Sequence, residues 1–434
     1  MESSCNFNSH AHCFTIKHVP EHFFDALTWG KHILCIRKMT LSKTYRLFVM
    51  LLSSAVIRSL FGIISKDAKK QLKRLHGLVR YGMMENQEAI IDVLSNFYHH
   101  QYQLVLLSMD MEYMMSSSDD DKEDPQEDFI NQIEQLRSIK HVSKYKNKVL
   151  PFIFADPRRD NVTNLVSEYL NFKDAPFQGI KIYPALGYYP FDKHLKDIYK
   201  LALDFEVPII AHCIQGDVYC RKNLGLRPDG STAKHPIANY STIPSDKYKL
   251  PSNYQLNFTH PLNYECLLNP KHAFVSFGES VDFRNLKICL AHAGGSNEWS
   301  MYVDQQHKRY KKKSVENVFH QHPLDLNQKW LGDDTERFNW LTIILALMDE
   351  YPNVYFDISF TLHDSTIYPL LRQLLMDKRY NERILFGTDY YVVATEDEEA
   401  KLISLMEKEL SPDLLKLICQ INPKKFLSSK LNPI

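Results

Sequence analysis

Residues 207–213 read VPIIAHC and residues 286–292 read LKICLAH, two short apolar runs that each end on or next to a histidine. Six further runs have the same build: 7–16 (FNSHAHCFTI), 103–112 (QLVLLSMDME), 149–156 (VLPFIFAD), 179–184 (GIKIYP), 353–359 (NVYFDIS) and 384–389 (ILFGTD). Helical periodicity fills much of the space between them, over 87–99, 126–141, 160–171, 192–205, 335–350, 364–378 and 396–408. Near-continuous apolar strands alternating with helices imply a parallel sheet covered on both faces. Eight such units predict an α/β fold of the (β/α)8 TIM-barrel type over an open doubly wound sheet.

Three intervals exceed a minimal unit, about 17–102, 214–285 and 293–334, so insertions are expected after strands 1, 5 and 6. The first holds helical patterns at 43–66 and 67–80. The second reads as a long loop excursion with one short helix near 261–268. The third contains the basic run His307 to Lys313, read as a solvated helix face. Residues 116–128, SSSDDDKEDPQED, read as an exposed acidic loop. No linker separates two halves, so residues 1–434 are expected to form one elaborated barrel.

Composition narrows the function. Lys+Arg and Asp+Glu are equal at 52 each, which leaves no positive surplus to drive nucleic-acid binding. Eight cysteines without a CxxC pair read as reduced thiols of a cytoplasmic protein. The N-terminus has no apolar signal region. Residues 47–64 (LFVMLLSSAVIRSLFGII) are interrupted by Arg58 and three serines, which favours a buried helix over a transmembrane span.

The strand ends carry the chemistry. His10 and His12 lie at i and i+2 of the first strand, so both imidazoles share a face and suit a borderline divalent metal. Among 19 histidines an isolated HxH is weak evidence. His212, His292 and Asp389, however, also stand at the C-terminal ends of strands, where barrel enzymes build their sites. Together they point to a metal centre. Lys181 and Tyr183 share a face of strand four. Lys181 is read as a cation for an acidic substrate group or a lysine buried against a carboxylate. Tyr183 is a pocket hydrogen-bond donor or a core residue. Arg221 is placed to clamp a substrate carboxylate, against a surface ion pair as the plainer reading. Asp357, ending strand seven, suits a partner for a ligand histidine. Asp156, Arg158 and Arg159 lie near the mouth without a fixed direction, and His235 and His260 read as polar loop residues.

The order HxH, His, His, Asp on strands one, five, six and eight resembles the amidohydrolase superfamily. The phrases GIKIYPALGYYPFD, VPIIAHC, LAHAGG and INPKKFL look like the amidohydrolase-related branch, which includes aminocarboxymuconate-semialdehyde decarboxylase-like enzymes. The resemblance runs from Phe7 to about Leu427; the long insertions depart from a minimal member. It implies that His10, His12, His212 and Asp389 ligate metal, that His292 is a second-metal ligand or a catalytic histidine, and that Asp389 accepts a proton; it adds, as a third reading of Lys181, a carbamylated lysine that bridges two metals. The expected cofactor is one or two divalent ions, zinc first, and the expected partner a small-molecule substrate. A homo-oligomer is compatible with the sequence. The leading expectation is hydrolysis of an amide, cyclic amide or lactone by metal-activated water. A metal-dependent decarboxylase or hydratase is the alternative, and an inactive binding or scaffold protein the second.

Overall fold

The structure, a computed structural model, describes residues 6–20, 80–98, 102–114, 127–174, 176–214, 258–310, 339–395 and 397–434. Every apolar run overlaps a strand: β1 Asn6–Ala11, β2 Tyr102–Leu107, β3 Val149–Phe154, β4 Gly179–Ile182, β5 Ile209–Ile214, β6 Ile288–Gly294, β7 Val354–Asp357 and β8 Ile384–Leu385. They form one parallel sheet in the order β1 to β8. Backbone bonds from Ser9 to Phe386 (2.8 Å) and from Asp389 to His10 (2.8 Å) bring β8 back against β1. The result is a nearly closed eight-stranded barrel.

Helices cover its outside: α1 Gln87–Asn96, α2 Phe129–His141, α3 Val162–Asn171, α4 Lys196–Phe205, α5 Leu262–Leu268, α6 Pro270–Phe277, α7 Ser296–Tyr310, α8 Trp340–Glu350, α9 Tyr368–Met376, α10 Glu399–Glu409, α11 Pro412–Lys416 and α12 Asn422–Leu427. Caps start several of them where the chemistry expects. The Asn86 side chain accepts from Ala89 N (2.9 Å), and that of Asn339 from Thr342 N (3.1 Å). Each then buries an apolar stripe, such as Ile90, Ile91 and Leu94 of α1, against the sheet.

The inside of the barrel is divided along its axis. Phe7, Val105, Leu107, Phe152, Ile210, Cys289 and Leu385 pack its lower part, and Phe426 and Leu427 of α12 join them from below. Above this plug the inward residues become polar, which leaves the C-terminal end of the strands for chemistry.

Strand one was expected to run to residue 16, but it ends at Ala11. Thr15 N then donates to His18 Nδ1 (2.9 Å), starting a 3-10 turn over Ile16–His18. Helix α6 lies where a loop was expected, and α7, α11 and α12 add to the helical pattern. The expected helices 43–66 and 67–80, the candidate span 47–64, and residues 116–126 of the acidic tract lie outside the described residues, as do 311–313 of the basic run. Among the described residues no helix is long and apolar enough to cross a membrane.

Candidate metal centre

Strict strand alternation would not bring the histidines together. Phe7 faces the barrel interior, so His10, three residues on, should face out. The pairing of β1 with β2 shifts register between Asn8 and Ala11, and that irregularity turns His10 inward. A second register shift lies between His212 and Ile214. In β6, Cys289 and Ala291 point inward, and His292 joins them because its backbone is left-handed, with φ 67°. Asp389 is left-handed as well, at φ 62°. Such conformations cost non-glycine residues roughly 1–3 kcal/mol and gather at functional sites. Both ends of the pattern therefore depend on local departures from regular strand.

His10, His12 and Asp389 form a buried group whose ligand atoms lie within 4.8 Å of one another. His10 Nδ1 donates to Asp357 Oδ2 (2.9 Å), and His12 Nδ1 donates to the Leu107 carbonyl (3.1 Å). These bonds fix the tautomers and aim both Nε2 lone pairs at one carboxylate oxygen. Asp389 Oδ1 is 3.4 Å from His10 Nε2 and 3.3 Å from His12 Nε2. His10 Nε2 is buried and, among the described residues, has no hydrogen-bond partner. An orphaned buried imidazole nitrogen facing a carboxylate, with its other nitrogen anchored, is the donor set a divalent ion requires. The residues fit a metal.

His10, His292 and Asp357 form a second close group. Hydrogen bonds already occupy this one. Asp357 Oδ1 accepts from His292 N (2.9 Å), Ser359 N (3.0 Å) and the Ser359 hydroxyl, while Oδ2 holds His10. Asp357 thus holds the His10 ring and the His292 backbone in place. Burial would raise its pKa, but the His10 and His292 imidazoles and these hydrogen bonds outweigh it and hold it well below the usual carboxylate range.

His212 meets the group through His292. His292 Nδ1 faces the Ser359 carbonyl (3.1 Å), so its Nε2 accepts from His212 Nδ1 (3.1 Å). That arrangement leaves His212 Nε2 as a lone pair. Burial lowers the pKa of all three inner histidines, His10 to about 3, and keeps them neutral. Asp389 is buried, yet the His12 bond and the His292 and His10 imidazoles hold it below its ordinary value as a carboxylate. Lys181 is 1% exposed and points into the same space; burial brings it down to about 8 against the opposing pull of Asp389 and Asp357. Tyr183 sets its ring edge-on to His212, with centroids 4.2 Å apart.

The remaining candidates divide. Arg221 and His235 lie outside the described residues. Arg158 is bound to Asp156 through two bonds (2.8 and 2.6 Å), and Arg159 to Asp110 (2.6 Å) and Glu112 (2.7 Å). These pairs brace the loops after β2 and β3. His260 packs on Trp340, with centroids 4.9 Å apart. Sequence reasoning passed over Ser359, whose hydroxyl touches Asp357, His10 and His292, and Asn8, which binds the backbone of His10. Each stands two residues from a residue already singled out, Asp357 and His10, and that spacing was the available signal.

The family model described as Amidohydrolase matches residues 134–428. The chain belongs to this amidohydrolase family. A search of curated proteins returns no match. Among solved structures, the chain is similar to 5-carboxyvanillate decarboxylase from Novosphingobium aromaticivorans, complexed with manganese and 4-hydroxy-3-methoxy-5-nitrobenzoic acid, at 12% identity and TM-score 0.47, covering 98% of this chain and 96% of that one. It is also similar to 2,6-dihydroxybenzoate decarboxylase from Rhizobium, at 13% identity and TM-score 0.42, covering 98% and 99%. The leading expectation of a hydrolase is corrected on this finding: the similar structures that span 98% of this chain are decarboxylases.

Proposed function

We propose that this chain is a one-metal decarboxylase of the amidohydrolase family, acting on a small unsaturated or hydroxyaryl carboxylic acid. The observation that supports this most is Lys181. It is a buried ammonium on the inner face of β4, and among the described residues no carboxylate lies within ion-pair distance of it. A buried cation faced by the Tyr183 ring (5.9 Å) but by no carboxylate is costly. With a divalent ion present, the two carboxylates Asp357 and Asp389 and the ammonium of Lys181 leave one positive charge over. A substrate carboxylate cancels it, whereas a neutral amide or lactone would not.

His10, His12, His212 and Asp389 would hold the ion; a mixed imidazole and carboxylate set accepts zinc or manganese. Bound there, the ion supplies a Lewis acid for the oxygen atoms of the substrate. Lys181 binds the anionic end, and Tyr183, edge-on to His212, bounds the substrate's space. Loss of carbon dioxide leaves an electron pair on carbon, which must take a proton. On a hydroxyaryl acid Asp389, ionised at rest, takes the hydroxyl proton and returns it to that carbon, and water reprotonates the oxygen on release; without a hydroxyl, the proton comes from water through Asp389, with His292 holding the adjacent His212 ring in place. The buried thiols Cys13, Cys213, Cys266, Cys289 and Cys419, none in a disulfide, fit a reducing compartment, so we place the enzyme in the cytoplasm.

The test is carbon dioxide release from metal-loaded protein offered a panel of carboxylic acids that includes 2,6-dihydroxybenzoate and 5-carboxyvanillate. Release from at least one, abolished by chelation and restored by zinc or manganese, is the expected result. Metal-loaded protein that releases none from any member of the panel contradicts the proposal.

A further inference from the structure

The barrel's weakest closure coincides with its metal ligands. Strands β1 to β8 are joined by ladders in sequence order, but between β8 and β1 only an isolated bridge, Ala11 with Tyr390, and a few backbone bonds complete the ring. His10, His12 and Asp389 all stand on this seam. Its two sides approach so closely that a Cβ on Gly387 would sit 2.6 Å from His10 Cβ.

One side chain spans it. Asn8 is fully buried, and its amide is used on both sides. Its Oδ1 accepts from His10 N (3.2 Å) on β1 and from Thr388 N (3.2 Å) beyond β8. Its Nδ2 donates to Thr388 Oγ1 (2.9 Å) and to the Tyr98 hydroxyl (2.7 Å). Tyr98 in turn donates to Glu399 Oε1 (2.6 Å) on α10. Thr388, the residue before Asp389, is thus tied to the backbone of His10 by a single amide, and that amide is held from behind.

We propose that Asn8, backed by Tyr98 and Glu399, is a positioning clip that sets the spacing of His10 and Asp389 across the open seam and so sets metal affinity. The proposal rests on the metal-centre reading above. The bond from Asp389 N to the His10 carbonyl (2.8 Å) joins the two ligands across the seam, but no continuous ladder flanks it, and they belong to segments at opposite ends of the chain. Partners behind metal ligands are typically worth roughly 10–100-fold in affinity.

The experiment measures zinc dissociation constants by competition with a chromophoric chelator, and the melting of metal-free protein in parallel. Asn8→Leu keeps the bulk but removes every hydrogen bond, and is expected to weaken zinc at least ~10-fold. Tyr98→Phe leaves the seam contacts of Asn8 but removes their backing, and is expected to weaken zinc by roughly 3-fold or more. Gln178→Leu, which loses two hydrogen bonds at the opposite end of the barrel (both 2.7 Å), should lower melting and leave zinc affinity unchanged. A folded Asn8→Leu with wild-type affinity overturns the clip. If Asn8→Leu does not fold, wild-type affinity in Tyr98→Phe overturns it instead. Wild-type protein that takes up no zinc overturns the metal-centre reading itself, a different result from either.

Discussion

Asp357→Asn is nearly isosteric and should disable the centre through one proton. In the wild type, Oδ1 of Asp357 accepts from His292 N, Ser359 N and the Ser359 hydroxyl, and Oδ2 accepts from His10 Nδ1 at 2.9 Å. An asparagine keeps the three Oδ1 contacts only by turning its NH2 toward His10. His10 must then accept at Nδ1 and carry its proton on Nε2, where the metal should sit. Binding metal requires the proton back on Nδ1, facing the amide N–H, and forfeits a buried hydrogen bond at about 1–3 kcal/mol. At 1.4 kcal/mol per decade this is roughly a 5- to 150-fold loss in metal affinity. The opposite amide orientation sets its NH2 against two backbone N–H groups and the Ser359 hydroxyl and costs more. Chelator competition on both proteins, with circular dichroism to show equal folding, reads the loss directly. A folded Asp357→Asn that binds zinc within twofold of wild type would refute the tautomer argument.

Three further outcomes follow from particular contacts. Glu399 is 2% exposed, and burial pushes its carboxyl up to about 7, against the bond from Tyr98. A raised folded-state value makes the ionised group a burden that is absent below the unfolded value, grows as pH rises, and is complete above about 7. Glu399→Gln should therefore gain stability over wild type as pH rises from roughly 4.5 to 7, by about 3 kcal/mol at most; denaturant unfolding across that range that shows no pH-dependent difference counts against it. Gly387→Ala places a Cβ 2.6 Å from His10 Cβ and 3.0 Å from His10 N, so it should cost roughly 1–3 kcal/mol of stability and weaken metal binding; an unchanged melting point and affinity would contradict the close seam. Lys181→Met should keep its metal and melt no lower than wild type while kcat/KM for the carboxylate substrate falls at least ~30-fold; full activity in that variant removes the anion-binding role.

The eight strands were legible because each is an apolar run bounded by polar or turn residues, and their rhythm is the barrel's own. His10, His12, His212, His292 and Asp389 were legible because strand ends concentrate the polar residues of an otherwise apolar interior. What alternation alone could not show is why His10 and His292 point inward. That depends on a register shift after Asn8 and on a left-handed backbone at His292, neither of which has a distinct residue signature. Helices α6, α11 and α12 went unread because Asn269-Pro270, Ser411-Pro412 and Asn422-Pro423 look like turn signals. Proline in the first turn lacks only an N–H that a helix start leaves unbonded, so the same dipeptides open helices. Asn8 and Ser359 were missed because amide and hydroxyl side chains are common. Only their geometry, each bridging segments hundreds of residues apart, separates them from ordinary polar residues.

The most direct test of the central claim is the metal content of purified protein, incubated with excess zinc or manganese and then freed of loose ions, measured by elemental analysis on the sample used for carbon dioxide release. The account predicts one divalent ion per chain, lost in parallel with activity when His10 or Asp389 is replaced by alanine. Two ions per chain, or none, would contradict it.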